Sequence, residues 1–428
     1  MRIEDLYSIF TSSSGISTDS RNVSKDNLFF ALKGPSFNGN KYAYDALDRG
    51  AKYAVIDEKE YETDRCILVE DVLSTLQKLS AFHRGKFSIP IIAITGSNGK
   101  TTTKELIYAI LSRKYEILKT EGNFNNHIGV PITLLKLKPH HEMAIIEMGA
   151  NHQGEIRSYC DWVQPNYGII TNVAKAHLEG FGSLEGVVQA KGELYDHLKG
   201  KGLVFVPSDQ KRLMEKSADQ SRITYGELQS DYLRVTELEE GINVTLEYSC
   251  NGVDRKVSSG LYGSYNLYNI AASICIGKYF EVDDENIRSA LEKFRSENNR
   301  SQFIERKGNR IVLDAYNANP SSMKAAIEQF ASVKSSHKVL ILGDMFELGK
   351  YSMEEHKAII ELVRDLDLKE VTYVGEHFYP IASKEGVRTF KTTSELLKWL
   401  ESEKIVNADI LIKGSRSMKL EEAVEFLD

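Results

Sequence analysis

Ile91-Ile92-Ala93-Ile94-Thr95-Gly96-Ser97-Asn98-Gly99-Lys100-Thr101-Thr102 decides how this chain folds. Its first four residues form a short apolar run of the kind a buried strand shows. The residues that follow it place Leu106, Ile107, Ile110 and Leu111 on one helical face. Between strand and helix, Gly96 and Gly99 allow backbone N–H groups to approach phosphate oxygens. Lys100 is suited to the outer phosphates and the Thr101 hydroxyl to Mg²⁺. Ser97, Asn98 and Thr102 complete the expected ATP-binding loop. The spacing departs from the general phosphate-loop pattern, because Ile94 rather than glycine stands five residues before Gly99. A plain glycine-rich βα turn is the alternative, and a Lys-Thr-Thr that opens a helix weighs against it.

Outward from this loop the same alternation continues. Apolar runs at Met143 to Met148, Tyr167 to Thr171 and Leu203 to Val206 read as strands separated by helical stretches. This implies βαβ crossovers and a mainly parallel sheet. Ile242 to Tyr248 alternates apolar and polar residues before Asn251-Gly252, the signature of a hairpin, so a small antiparallel appendage is expected to interrupt this domain. Towards the N-terminus, Leu28 to Leu32 and Tyr53 to Ile56 are short strands beside a helical pattern at Ala43 to Arg49. The stretch Ser80 to Ser88 reads as a linker. Towards the C-terminus, strands are expected at Ile311 to Leu313, Val339 to Leu342, Val371 to Val374 and Ile410 to Ile412. Ser352 and Glu355 are placed for a capping box on a helix running to Leu366. The predicted class is α/β in three domains: a small α/β domain over 1–85, a phosphate-loop parallel-sheet domain over 86–298, and a Rossmann-like domain over 299–428.

Composition narrows the function. A length of 428 residues suits roughly three domains. The net charge of −7, with lysines and arginines dispersed among acids, argues against coating of nucleic acid. The four cysteines are far apart and form no CxxC pair, so buried free thiols are expected rather than a zinc site or disulfide framework. No run reaches the roughly eighteen apolar residues of a membrane span. The acidic start Met1-Arg2-Ile3-Glu4-Asp5-Leu6 is unlike a secretory leader, so the expected location is cytoplasmic.

Thr95 to Thr102 resembles the ATP loop of the Mur ligases, the ATP-dependent enzymes that build the peptidoglycan stem peptide, and the resemblance extends along the chain. Thr120 to Pro131, containing Asn126, is similar to the family segment that closes over the γ-phosphate and the substrate carboxylate. Glu147, at the end of an apolar strand, is placed to reach a phosphate-bound Mg²⁺. Thr171 to His177 looks like the segment whose histidine assists a second Mg²⁺, and Lys191 matches the lysine that CO₂ converts to a carbamate. That modification turns a cation into an anionic oxygen ligand. Gly263 to Ala272 resembles the helix whose two asparagines, here Asn266 and Asn269, contact adenine; Tyr265 replaces a histidine often seen there. Arg300 and Asp314 resemble third-domain contacts to phosphate and ribose, made when that domain closes and excludes water. The resemblance therefore implies Lys100, Asn126, His177 and Lys191 as the catalytic set.

The acceptor is implied by residues outside the ATP site. Asp314 to Met323, Leu342 to Gly349 and Lys413 to Ser417 are similar to the D-alanyl-D-alanine-adding branch, and the Asp-Asn-Pro-Arg motif of diaminopimelate-adding relatives does not occur. Thr18-Asp19-Ser20-Arg21 and Phe30 to Gly34, with Lys33, resemble the UDP-sugar site. Asn38-Gly39-Asn40 stands where many relatives carry Asp-Gly-His. The resemblance thus implies UDP-N-acetylmuramoyl-tripeptide and D-alanyl-D-alanine as substrates of a monomer. A third-residue-adding ligase, a folylpolyglutamate-type ligase and an ATP-dependent switch are the rivals. The switch needs the loop but not Lys191, His177 and the asparagine pair together.

Overall fold

The computed structural model describes residues 1–176, 178–238 and 243–427. Three larger sheets organise them, beside a two-stranded ribbon of Lys33–Gly34 and Phe37–Asn38. In the central sheet the strand Ile91–Thr95 lies between Met143–Glu147 and Tyr167–Ile170, parallel to both. Its side chains alternate between two cores. Ile92 and Ile94 pack with the helices Lys100–Leu111 and Leu267–Tyr279, while Ile91 and Ala93 pack with Glu155–Val163 and Leu184–Leu198. A parallel strand covered on both faces needs an unbroken apolar run, which is why its sequence lacks polar alternation. The run ends at the loop, and the strand delivers its C-terminal end to the site.

Beyond Leu203–Pro207 and Arg222–Gly226, the sheet continues through Leu233–Leu238, Asn243–Cys250 and Val253–Tyr262. The antiparallel part is therefore the edge of the central sheet itself rather than an interruption of it. The alternating strand pairs antiparallel with Leu233–Leu238, which itself pairs parallel with Arg222–Gly226, and that connection to the parallel sheet could not be read from its own pattern. The expected hairpin is present. Asn251 and Gly252 form its two-residue turn with φ of 53° and 74°, between Cys250 and Val253.

The N-terminal sheet is parallel, in the order Ile16–Ser17, Leu28–Phe30, Tyr53–Ile56, Cys66–Leu68. Ser80 to Arg84 is not linker but the end of the helix Val72–Arg84. Its apolar face, Leu76 and Leu79, joins a core that includes Leu135 of the central unit. Arg84 is buried and donates to the carbonyls of Val163, Gln164, Phe87 and Ile89. Charges at 84–86 resemble a linker in the sequence, but the guanidinium here bolts two units together.

The C-terminal sheet runs Gln302–Arg306, Asn309–Asp314, Asp409–Lys413, Lys338–Gly343, Glu370–Val374, Thr389–Phe390, antiparallel only at its first pair. The capping box expected from Ser352 and Glu355 does not form. A 3₁₀ turn, Gly349–Tyr351, leads directly into the helix Ser352–Asp365, so Ser352 is already helical. Glu355 instead accepts an ion pair from Lys175 at 2.9 Å.

Candidate functional site

A cleft of about 760 Å³ lies where the C-terminal ends of the central strands face those of the C-terminal sheet. The phosphate-loop residues line it from one side, and Arg300, Asp314, Asn319 and Lys413 from the other. The loop's glycines are required by close approach. A Cβ on Gly96 would stand 2.0 Å from Thr171 Oγ1, and one on Gly99 would stand 2.5 Å from Asn269 Oδ1. Gly99 also has φ of 77° and precedes the helix Lys100–Leu111. Ser97 Oγ donates to Ala174 O and accepts from Ala174 N, which ties the loop to the next strand's exit.

Lys100 Nζ folds back onto Gly96 O at 2.8 Å and Ser97 O at 3.2 Å. Its ammonium is poised over the loop that a triphosphate would occupy. Desolvation lowers its pKa from the ordinary lysine value; Glu147 and Glu347 oppose that shift, and Arg300 adds to it. Thr102 lines the same wall.

Glu147, 1% exposed, is the most constrained carboxylate of the cleft. Its Oε1 accepts from Thr101 Oγ1 at 3.1 Å and from Asn125 Nδ2 at 2.7 Å, and its backbone N–H donates to Thr120 Oγ1. Its Oε2 lies 3.5 Å from the fully buried Lys104 Nζ but has no hydrogen bond. A buried carboxylate oxygen with spare lone pairs beside a threonine hydroxyl is a hard-oxygen donor set that fits Mg²⁺.

Lys191 is buried on the other side of the strand, 1% exposed. Its Nζ donates to Ala150 O at 3.0 Å and sits 5.0 Å from the centre of the Phe181 ring. Burial, and next the charge of Lys100, hold its pKa well below that of a solvated lysine. Asn126 lines the cleft, but its Oδ1 accepts from the N–H groups of Ile128 and Gly129, so it shapes the turn into the helix Gly129–Leu134. His177 lies outside the described residues.

Asn266 and Asn269 are both buried on the cleft wall. Asn266, the cap position of the helix Leu267–Tyr279, makes no side-chain capping bond. Asn266 Nδ2 donates to Tyr262 O, Asn269 Nδ2 donates to Asn266 Oδ1, and Thr103 Oγ1 donates to Asn269 Oδ1. Opposite them, the Arg300 guanidinium stacks 3.6 Å from the Tyr316 ring centre. Asp314 accepts from Ser301 N–H and pairs with buried Lys413.

The four N-terminal residues do not reach this cleft. Ser20 and Arg21 form a 3₁₀ turn whose cap is Asp19, and Arg21 pairs with Asp19 at 2.8 Å. That hydrogen-bonded pair holds the Asp19 carboxyl down at about 2. Lys33 lies 3.1 Å from Asp57, and Gly34 carries the Phe37 ring so closely that a Cβ would meet it at 2.4 Å. Asn40, in the segment that departs from Asp-Gly-His, is fully buried and exchanges hydrogen bonds with Asp57.

Sequence reading missed Asn125, Lys104, Lys413 and Glu347 as cleft-forming or cleft-supporting residues. Asn125, Glu347 and Lys413 lie within segments that the resemblance marks as wholes, without a site role for any of the three. Lys104 looks like a solvated helical lysine until the helix is packed against the strand that carries Glu147.

Three family models cover most of the chain: the Mur ligase family catalytic domain at residues 12–84, the Mur ligase middle domain at 94–277, and the Mur ligase glutamate ligase domain at 299–416. A relative from Bacillus subtilis, UDP-N-acetylmuramoyl-tripeptide--D-alanyl-D-alanine ligase, is 34% identical over 96% of this chain and 93% of its own length. The chain belongs to the Mur ligase family. The ligase of the same name from Escherichia coli is also 34% identical, over 96% of this Mur ligase and 93% of that protein. Among solved structures, MurF from Acinetobacter baumannii superposes with a TM-score of 0.85 at 31% identity, covering 96% of this chain and 92% of that one. MurF ligase from Thermotoga maritima in complex with ADP does so with a TM-score of 0.84 at 28% identity, covering 96% of each. The three-domain α/β architecture of this Mur ligase is that of these relatives.

Proposed function

We propose that this Mur ligase uses ATP to join D-alanyl-D-alanine to UDP-N-acetylmuramoyl-tripeptide, giving the pentapeptide precursor of peptidoglycan. The full-length kinship with ligases of that name supports the reading. The observation that carries it to this chain is the convergence of its three acceptor-related segments. Asp314 and Lys413 pair, Ser415 N–H donates to Asp344 O, Phe346 N–H donates to Ser415 Oγ, and Asp314, Glu347 and Lys413, one from each segment, line the cleft together with the phosphate loop.

In this reading residues 1–85 hold the UDP-sugar through Ser20, Arg21, Lys33 and Gly34, residues 86–298 hold ATP, and residues 299–428 close on the nucleotide and bind the dipeptide. The tripeptide carboxylate attacks the γ-phosphorus, ADP leaves, and an acyl-phosphate forms. The dipeptide amine then attacks the acyl carbon; phosphate leaves and the nitrogen loses a proton. The chief obstacle is repulsion between an anionic nucleophile and an anionic phosphate, and Lys100 and the loop amides offset it by preorganised positive charge. Asn266 and Asn269 orient adenine, and Arg300 and Asp314 meet phosphate and ribose.

Thr101, Glu147, carbamylated Lys191 and His177 would hold Mg²⁺, which supplies further charge neutralisation at the phosphates when bound. Support for carbamylation is physical: only a neutral amine attacks CO₂, and burial, with the charge of Lys100 next, shifts Lys191 towards the neutral amine. The enzyme is proposed to be a cytoplasmic monomer; no helix among the described residues is long and apolar enough to cross a membrane.

Phosphate release tests the reading. It should require ATP, UDP-N-acetylmuramoyl-tripeptide and D-alanyl-D-alanine together. Release that instead needs the dipeptide precursor with lysine or diaminopimelate overturns the acceptor assignment, and acceptor-independent turnover supports a switch.

A further inference from the structure

Asn98, at the tip of the phosphate loop, is held from two sides. Its backbone belongs to the central unit: its N–H donates to Asn172 Oδ1 at 3.1 Å, and its carbonyl accepts from Thr171 Oγ1 at 2.6 Å and Asn172 Nδ2 at 3.1 Å. Its carboxamide belongs to a different contact. Asn98 Nδ2 donates to Ser321 Oγ at 2.9 Å, Ser321 Oγ donates to Asn319 Oδ1 at 2.8 Å, and Asn319 Nδ2 donates back to Asn98 Oδ1 at 2.7 Å.

The three side chains form a closed ring in which each donor finds an acceptor and the bonds run head to tail. Such rings are mutually polarised and lose more than one bond when a member is removed. Two of the members open the helix Pro320–Ser332 of the C-terminal unit, and Asn319 also caps that helix by accepting from Ser322 N–H at 2.9 Å. The third is a rigidly held loop residue. Separation of the two units therefore breaks two of the ring's three bonds and deprives the Asn98 carboxamide of both side-chain partners.

We propose that Ser321 and Asn319 are positioning residues that latch the C-terminal unit onto the tip of the phosphate loop, so that acyl-phosphate, once formed, is held in a cleft closed to water until the amine attacks. The Lys175–Glu355 ion pair is a second contact across the same seam, but Glu355 is buried while Lys175 is largely exposed, so solvent screens the lysine end of the pair. The ring is the contact that touches the loop itself.

The inference rests on the ligase reading above. Ser321→Ala is the informative variant, because it removes the middle of the ring and leaves the Asn319 cap intact; Ser321→Thr keeps the hydroxyl. The readout is the ratio of phosphate released to amide formed, with the melting temperature measured alongside. Wild type is expected at a ratio of one. Ser321→Ala should raise the ratio severalfold through hydrolysis of acyl-phosphate and lower kcat more than it changes KM for ATP, and Ser321→Thr should return the ratio towards one. A ratio of one in Ser321→Ala, or an equal rise in Ser321→Thr, overturns the proposal. If wild type forms no amide from these substrates, the ligase reading fails separately. The ring is then tested by X-ray scattering of the full chain with a non-hydrolysable ATP analogue. Ser321→Ala should be more extended than wild type, and superimposable profiles overturn the ring's role.

Discussion

The cleft and the N-terminal lobe both present charged groups to anionic ligands, and they are built in opposite ways. In the cleft, Glu147, Lys104 and Lys191 are withdrawn from water and committed to strand ends, neighbouring side chains and one another. On the lobe, Arg21 stands in solvent beside Asp19, and Lys33 is half exposed between Asp57 and Glu58. A desolvated charge is strong because nothing screens it, and it is costly to disturb for the same reason. A solvated charge can be changed without harm to the fold, and it acts only on what binds there. Substitutions in the cleft are therefore expected to move chemistry and stability together, and those on the lobe to move binding alone.

Lys100→Ala should produce the largest effect. It removes the ammonium folded over the loop, and kcat is expected to fall by about 10³-fold, as for loss of a preorganised charge donor. Steady-state phosphate release measures it, and a loss of only a few-fold would mean that the cleft does not work by desolvated charge.

Lys191→Ala should follow, with most activity lost and part of it restored by added short carboxylates that replace the carbamate. Full activity in the variant would remove the carbamylation proposal. The same residue gives a pH signature. Because the folded pKa of Lys191 lies well below 10.5, the unfolded chain binds more protons between those two values, and stability rises with pH there. In CO₂-free buffer, Lys191→Met should be more stable than wild type, with a margin that widens as pH falls from 10.5 towards the lowered pKa. Denaturant unfolding at a series of pH values would show a constant margin if the amine were solvated.

Glu147→Gln should reduce both activity and stability. It leaves the buried Lys104 ammonium without its strand-end carboxylate, and breaking such a pair costs about 3 kcal/mol. Denaturant unfolding checks this, and an unchanged midpoint would place the burden on Glu105, which lies 3.1 Å from Lys104.

The smallest effect is expected from Arg21→Ala. KM for the UDP-linked substrate should rise while kcat and the melting temperature hold. A drop in melting temperature would show that the Arg21–Asp19 pair supports the lobe and would erase the contrast between the two regions.

Strands were legible in the sequence wherever both faces are buried, because Ile91 to Ile94 and Val339 to Leu342 have no other way to satisfy an unbroken apolar run. The phosphate loop was legible because its glycines, lysine and threonines are local requirements. The helix through Ser80 to Arg84 was not, since the carbonyls that accept from Arg84 include Val163 and Gln164, some eighty positions away. The capping box at Ser352 fitted its pattern and still failed, because a preceding 3₁₀ turn had already made that serine helical.

The sequence by itself determined the α/β class, the loop, the strand-end glutamate and the segments shared with the acceptor-specific relatives, since each is a short-range pattern of residue types. Only the tertiary structure decided which carboxylate oxygen of Glu147 is left without a hydrogen bond, that Lys191 is shut away from water, and that Asn98 meets residues more than two hundred positions later. Those properties depend on desolvation and on the meeting of distant elements. Neither is a property of a residue's neighbours along the chain.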